Sequence, residues 1–145
     1  MKSYLGRRYR LSASHRLHSE RLSDEQNRAV YGKCANPHGH GHNYTVEVVV
    51  GGVIHPETGM VCDLVELDAC VGREVLEPFD HENLNTLAAF RNRVPTTENL
   101  CIEIERRLRR GLCRDLSLVV RVEETSNNFF EFRSSDAPAT DAAQG

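Results

Sequence analysis

Residues 8 to 17, RYRLSASHRL, alternate: Tyr9, Leu11, Ala13, His15 and Leu17 fall on one face. A period of two over this length predicts a half-buried strand. A second alternating stretch runs from Asn43 to Ile54, where Tyr44, Val46, Val48 and Val50 continue the face begun by His40 and His42. HPETG, residues 55 to 59, is a turn by its Pro and Gly. The period then changes. Leu64, Leu67, Val71 and Val75 recur at helical spacing across 64–77. A second helix is predicted over 97–110, with Pro95 and Thr96 at its start, Glu98 in its first turn, and a stripe of Leu100, Ile104 and Leu108. Arg106, Arg107, Arg109 and Arg110 complement its dipole, and Gly111 stops it. Glu103 and Glu105 read as part of its solvated face. Residues 116–124, LSLVVRVEE, form a strand, and FFEF forms another after a turn at SNN. The predicted order is β-β-α-α-β-β. Strands pair at both ends of the chain with helices between, so the class is α+β.

Composition narrows the picture. A chain of 145 residues is long enough for one domain with a real core. That domain is expected over residues 1–133, followed by a small, polar, disordered tail, SSDAPATDAAQG, at 134–145. Charged residues at 27% and hydrophobic ones at 39% read as a soluble globular protein. A formal net charge of −3 argues against general nucleic-acid binding. The 18 basic side chains still allow a local pocket for an anion. The N-terminus has no apolar signal core, and the most apolar run, VEVVVGGVI, is short and contains Glu47, so no membrane span is expected. Five cysteines without paired spacings point to a reducing, cytoplasmic compartment.

The chemistry concentrates in CANPHGHGHNY, residues 34 to 44. His38, His40 and His42 are spaced by two, and alternate residues of a strand share a side, with Cα atoms about 6.5–7 Å apart. Imidazoles so placed can converge on one metal ion. His15 lies on the apolar face of the first strand, where an unpaired imidazole is costly. If the two strands pair, His15, His40 and His42 share one face. Three histidines then fit a zinc site with an open fourth position. His38 offers an alternative register, but Tyr44 and the strand follow His42 at once, so His38 is left as an exposed loop residue. Cys34 has two readings: the fourth ligand of a closed structural site with three histidines, or a free thiolate whose pKa is lowered by the ion and a nearby histidine. The remaining cysteines, Cys62, Cys70, Cys101 and Cys113, read as structural. Asp80 and His81 in FDHENLN are either a polar loop or a histidine with a carboxylate partner suited to proton transfer. Glu124 ends the apolar face of Leu118, Val120 and Val122, where a carboxylate is either paired or available to N–H donors of a ligand. Glu123, on the opposite face, is an ordinary surface residue.

These segments together resemble the 6-pyruvoyltetrahydropterin synthase family, including the related 6-carboxytetrahydropterin synthases. The resemblance rests on SASHRL, GKCANPHGHGHNY, PETGMVCDL, DHENLN, PTTENL and VEETSNN, in family order over residues 9 to 129. It implies the tunnelling fold, with three subunits joining their sheets into a barrel and two trimers stacking into a homohexamer. It implies Zn2+ on His15, His40 and His42. Cys34, Asp80 and His81 match the catalytic set, Glu124 the acid that anchors the pterin ring, and Thr96, Thr97 and Glu98 the segment lining that pocket. Sites of the family lie between subunits, so Cys34 and His81 need not come from one chain.

The implied reaction is loss of triphosphate from 7,8-dihydroneopterin triphosphate, with an internal redox shift that needs no nicotinamide. Arg16 and Lys33 flank the site in sequence and are candidates for the triphosphate. The 6-pyruvoyl compound is the expected product, and the alternative is the 6-carboxy compound of the queuosine pathway. His38 completes the shorter cysteine-to-histidine spacing of the 6-carboxy enzymes, which release acetaldehyde. Zinc on His40 and His42 instead leaves five residues between Cys34 and the first ligand, as in the 6-pyruvoyl enzymes. A rival of another class is a non-catalytic zinc module closed by one cysteine and three histidines, which accounts for neither Asp80 and His81 nor Glu124.

Overall fold

Two long strands carry the architecture of the computed structural model, which describes residues 1–134. Strand β1 spans Lys2–His15 and β2 spans His40–Val53. They pair antiparallel along their whole length, with Leu11 opposite Tyr44, Ala13 opposite His42 and His15 opposite His40. This register keeps both apolar faces on the same side of the sheet, which a one-residue slip would not. Strand β1 begins six residues earlier than its alternation suggested. It stops at His15, and Leu17 instead donates its N–H to the Cys34 carbonyl at 2.7 Å.

Between these strands lies a helix that the sequence pattern did not bring out, α1 at Asp24–Tyr31. Its only buried residue is Asn27, so it carries no apolar stripe to detect. Its signature is a capping box, in which Ser23 accepts from the Gln26 N–H and the Gln26 side chain accepts from the Ser23 N–H.

The region 64–77 is helical but not one regular helix. Helix α2, Leu64–Val71, passes into a π-helical turn at Gly72–Leu76 and a last turn, α3, at Glu77–Phe79. The Glu77 N–H reaches back five residues to the Gly72 carbonyl, and the extra residue rephases the stripe. Leu67, Cys70, Val71, Val75 and Phe79 are buried, whereas Leu64 stands at the exposed start. A two-residue strand, β3 at Glu82–Asn83, then docks parallel to the end of β1. Helix α4, Thr97–Gly111, is followed by β4, Ser117–Thr125, and β5, Asn128–Phe132. The sheet order is β3-β1-β2-β4-β5.

One face of the sheet is covered by α2, α3 and α4. Leu11, Tyr44, Val46, Val48, Val50, Val120 and Val122 meet Leu67, Val71, Val75, Phe79, Leu100, Ile104 and Leu108 in a single core. The α+β class holds. No helix among the described residues is long and apolar enough to cross a membrane, and all five cysteines are free. The tail from 135 onward lies outside the described residues.

Two readings of α4 and the cysteines are corrected. Glu103 and Glu105 are not on a solvated face: they are 1% and 2% exposed. Glu103 is ringed by Arg93 at 2.9 Å, Arg106 at 2.8 Å and Arg107 at 2.9 Å, and Glu105 pairs with Arg109 at 3.7 Å. Burial raises the Glu103 carboxyl, but hydrogen bonds from the three guanidinium groups outweigh it and hold the group below its ordinary range. The helix wheel alone could not show this, because Arg93 comes from the preceding loop. Cys113 is exposed, in the loop after α4, and so does not belong with the buried cysteines.

Candidate active site

The end of the β1–β2 ladder builds the site. His15 and His40 are cross-strand partners, and His42 lies two residues further along β2 on the same face. Their rings sit 4.7, 5.0 and 4.7 Å apart between centroids, at interplanar angles of 78°, 82° and 85°. One ring nitrogen from each lies within 4.8 Å of the others. Among the described residues, this is the only group of three or more possible ligands so gathered, and neither Cys34 nor His38 belongs to it. The loop between the strands must turn sharply to deliver His40. Gly39 does so at φ +70°, where a Cβ would meet the His15 carbonyl oxygen at 3.0 Å.

The cluster fits a cation on several counts. His15 Nδ1 lies 2.8 Å from the Pro95 carbonyl. Donation of that N–H leaves the lone pair on Nε2, which faces His40 Nε2 at 3.1 Å. His42 Nε2 is buried and has no hydrogen-bond partner. It makes only a 3.4 Å contact with Glu124 Oε1. Burial lowers the His15 pKa, opposed by the Pro95 bond and assisted by His40 and His42. Burial likewise lowers that of His42. Neutral imidazoles are the form that ligates metal.

Glu124 closes the site from β4. Its Oε1 is 3.9 Å from His15 Nε2, and its Oε2 accepts from the Asn128 side-chain amide at 2.9 Å. Burial raises this carboxyl, but Asn128, Thr97, His42 and His15 together keep it below the usual glutamate range. Glu123 points to the other face, opposite Thr45 and Phe129.

The start of α4 forms the third wall. Thr96 is its N-cap, accepting from the Asn99 N–H at 3.2 Å. Thr97 is buried, and its hydroxyl finds no partner of full hydrogen-bond geometry, although it lies close enough to lower the pKa of both Glu124 and Tyr44. Glu98 is exposed on the first turn.

Cys34 sits half-buried in a 3-10 turn, Gly32–Ala35. Burial and the nearby Glu124 carboxylate both raise its thiol pKa. The chain's own groups therefore do not produce the lowered pKa anticipated for a thiolate, because burial disfavours the anion and the neighbouring charge is a carboxylate rather than an imidazolium.

Asp80 and His81 stand apart from this group. Asp80 Oδ1 accepts from the Ser12 N–H at 2.9 Å and the His81 N–H donates to the Ser12 carbonyl at 2.6 Å, which docks the segment on the edge of β1. His81 holds φ 61°, the only positive φ outside glycine among the described residues, a placement that costs free energy and is concentrated at functional sites. Its Nε2 lies 3.5 Å from Asp80 Oδ2, and its side chain is 81% exposed. It lines a shallow depression with Ser12, Asn43 and the edge of His42. No hydrogen bond or ion pair links Asp80 or His81 to Cys34 among the described residues.

Two further contributors were given no role at the site from sequence. Asn128 reads as an ordinary turn residue, and only the β4–β5 hairpin brings it to Glu124. Tyr44 was legible as a polar residue on an apolar face. Its hydroxyl lies 3.4 Å from His15 Nδ1, and burial above all pushes its pKa up.

Comparison with known proteins agrees with this arrangement. Residues 4–135 match the family model described as 6-pyruvoyl tetrahydropterin synthase. The chain is 47% identical over 131 residues to the 6-pyruvoyl tetrahydrobiopterin synthase of Poecilia reticulata, covering 90% of this chain and 89% of that one. It is 43% identical over 133 residues to the Homo sapiens protein of the same name, covering 91% and 92%. The structure of Caenorhabditis elegans 6-pyruvoyl tetrahydropterin synthase superposes with a TM-score of 0.88 at 38% identity, covering 92% and 96%.

Proposed function

We infer the reaction from one premise: the chain belongs to the 6-pyruvoyl tetrahydropterin synthase family. It is a lyase that converts 7,8-dihydroneopterin triphosphate to 6-pyruvoyltetrahydropterin with loss of triphosphate. The observation that carries this reading is the end-to-end similarity to proteins of that name, joined to a three-histidine cluster faced by a carboxylate.

In this reading His15, His40 and His42 hold zinc. When bound there, the ion supplies Lewis acidity toward the hydroxyls of the substrate side chain. Glu124 accepts N–H donors of the pterin ring, in a pocket lined by Thr96, Thr97 and Glu98. Occupation of Glu124 by those donors also offsets the carboxylate charge that raises the Cys34 thiol. Cys34 then acts as the base that removes a carbon-bound proton, and the Asp80–His81 pair moves a second proton. No hydrogen bond or ion pair links His81 to Cys34 among the described residues, and we assign the complete site to neighbouring subunits of a homohexamer, two stacked trimers whose sheets join as a barrel, as the family resemblance implies. The protein works in the cytoplasm. A closed structural site of one cysteine and three histidines is disfavoured, because Cys34 lies outside the cluster of ligand nitrogens.

The experiment is product analysis. Purified, zinc-loaded protein is incubated with 7,8-dihydroneopterin triphosphate. A pyruvoyl side chain by mass, without acetaldehyde, is expected. Stoichiometric acetaldehyde would assign the 6-carboxy reaction instead.

A further inference from the structure

Between the end of β1 and the loop before α4 lies a cavity of about 520 Å3, a size typical of small-molecule sites. Arg16, Arg21, Arg91 and Arg93 line it, against a single carboxylate, Glu20. This local balance is strongly positive in a chain of formal net charge −3. Two of the four guanidinium groups are already engaged. Arg93 bonds Glu103 at 2.9 Å, and Arg16 Nε donates to the Ala35 carbonyl at 3.2 Å. Arg21 and Arg91 make hydrogen bonds only through their backbone among the described residues. A further observation concerns His18, which also lines the cavity. Its Nδ1 is buried and has no hydrogen-bond partner among the described residues. Such an atom is costly unless a partner arrives from outside.

The cavity shares a wall with the histidine cluster. Arg16 directly follows His15. Pro95, whose carbonyl holds His15, is also a lining residue, and Arg16 reaches back to Ala35, the neighbour of Cys34. Lys33 is not among the lining residues.

We propose that this cavity binds an oligophosphate chain. Planar, permanently charged guanidinium groups suit phosphate oxygens, and the two free ones stand on separate segments, Arg21 before α1 and Arg91 before α4. The identity of the occupant rests on the reaction proposed above: it is the triphosphate of the substrate, held next to the cluster at which the side chain reacts. A free polyphosphate presents the same chemistry.

The test compares wild type, the Arg21→Gln/Arg91→Gln double variant and Arg110→Gln, all zinc-loaded. Arg110 is an exposed cation at the far end of α4 and serves as the control. Sodium tripolyphosphate binding is measured by calorimetry, and steady-state kinetics are measured with dihydroneopterin triphosphate. The double variant is expected to bind tripolyphosphate about 10–100-fold more weakly, and to raise KM by a comparable factor, while Arg110→Gln matches wild type. Unchanged tripolyphosphate affinity and unchanged KM in the double variant would overturn the proposal. Weakened tripolyphosphate binding with unchanged KM would keep the oligophosphate site and assign it to a free polyphosphate. If wild type shows no turnover, yet binds tripolyphosphate and the double variant does not, the site stands and the reaction assigned above falls.

Discussion

Three imidazoles and one carboxylate meet at the end of β1 and β2, and each can be tested alone. Replacing His40 or His42 with alanine should strip most of the metal from the purified chain, since two ligands hold zinc poorly. His38→Ala should keep it, because His38 is exposed and outside the cluster. Metal content per chain decides between them, and loss in His38→Ala with retention in His42→Ala would shift the ligand register by two residues. Glu124 and Glu123 form a second contrast. Glu124→Gln should weaken pterin binding about tenfold, because an amide accepts from two ring N–H donors less well than a carboxylate. Glu123→Gln should leave binding unchanged, since Glu123 faces away from the core. Equilibrium titration with a pterin measures both, and equal effects would contradict the face assignment of β4.

Helix α4 does more than supply the Thr96–Glu98 wall. Its Glu103 gathers Arg93, Arg106 and Arg107, and the Arg107 guanidinium lies 4.7 Å over the ring of Phe79, the residue before Asp80. Glu103→Gln should destabilise the fold by about 1–3 kcal/mol, less than a fully buried pair because the arginines remain partly solvated. The pH dependence follows from the lowered Glu103 pKa. A carboxyl held lower in the folded chain than in the unfolded one adds stability above its unfolded pKa. That stability is lost as pH falls from the ordinary glutamate range through the depressed folded value. Denaturant unfolding across the acid range should therefore fall less steeply for Glu103→Gln than for wild type. In α1, Ser23→Ala removes the capping box and should cost about 1 kcal/mol, read as a lower midpoint in the same assay.

The proposed assembly can be tested by mixing subunits. Asp80 and His81 are fastened to the edge of β1, whereas Cys34 sits in the turn Gly32–Ala35, where burial and the Glu124 charge act on its thiol. The site proposed above draws them from two copies. Co-expression of Cys34→Ala chains with His81→Ala chains should restore turnover that neither variant has alone, since some sites then pair an intact Cys34 with an intact His81 from another subunit. Single-variant rates and the mixed rate measure this. A mixed rate no higher than either parent would place both residues in one subunit's site.

The local periods were enough to specify that two strands share an apolar face and that His15, His40 and His42 lie on it, although not where β1 begins. Alternation determines which side each residue takes, so the three histidines share a face, and the register that sets His15 opposite His40 rather than His38 is seen in the strand pairing. Glu124 was legible for the same reason, as the end of an apolar face. Features that depend on contacts between distant segments were not. Glu103 is buried because Arg93, ten residues earlier, folds over it. Asn128 reaches Glu124 through a hairpin, and the π-helical turn at Gly72–Leu76 changes the phase of a stripe that looked regular. Helix α1 depends on a capping box and presents almost no apolar face. The Cys34 environment lay outside the reach of sequence for a related reason. A thiol's pKa follows its burial and the charge beside it in space, and in this fold burial first, and then the Glu124 carboxylate, push it up.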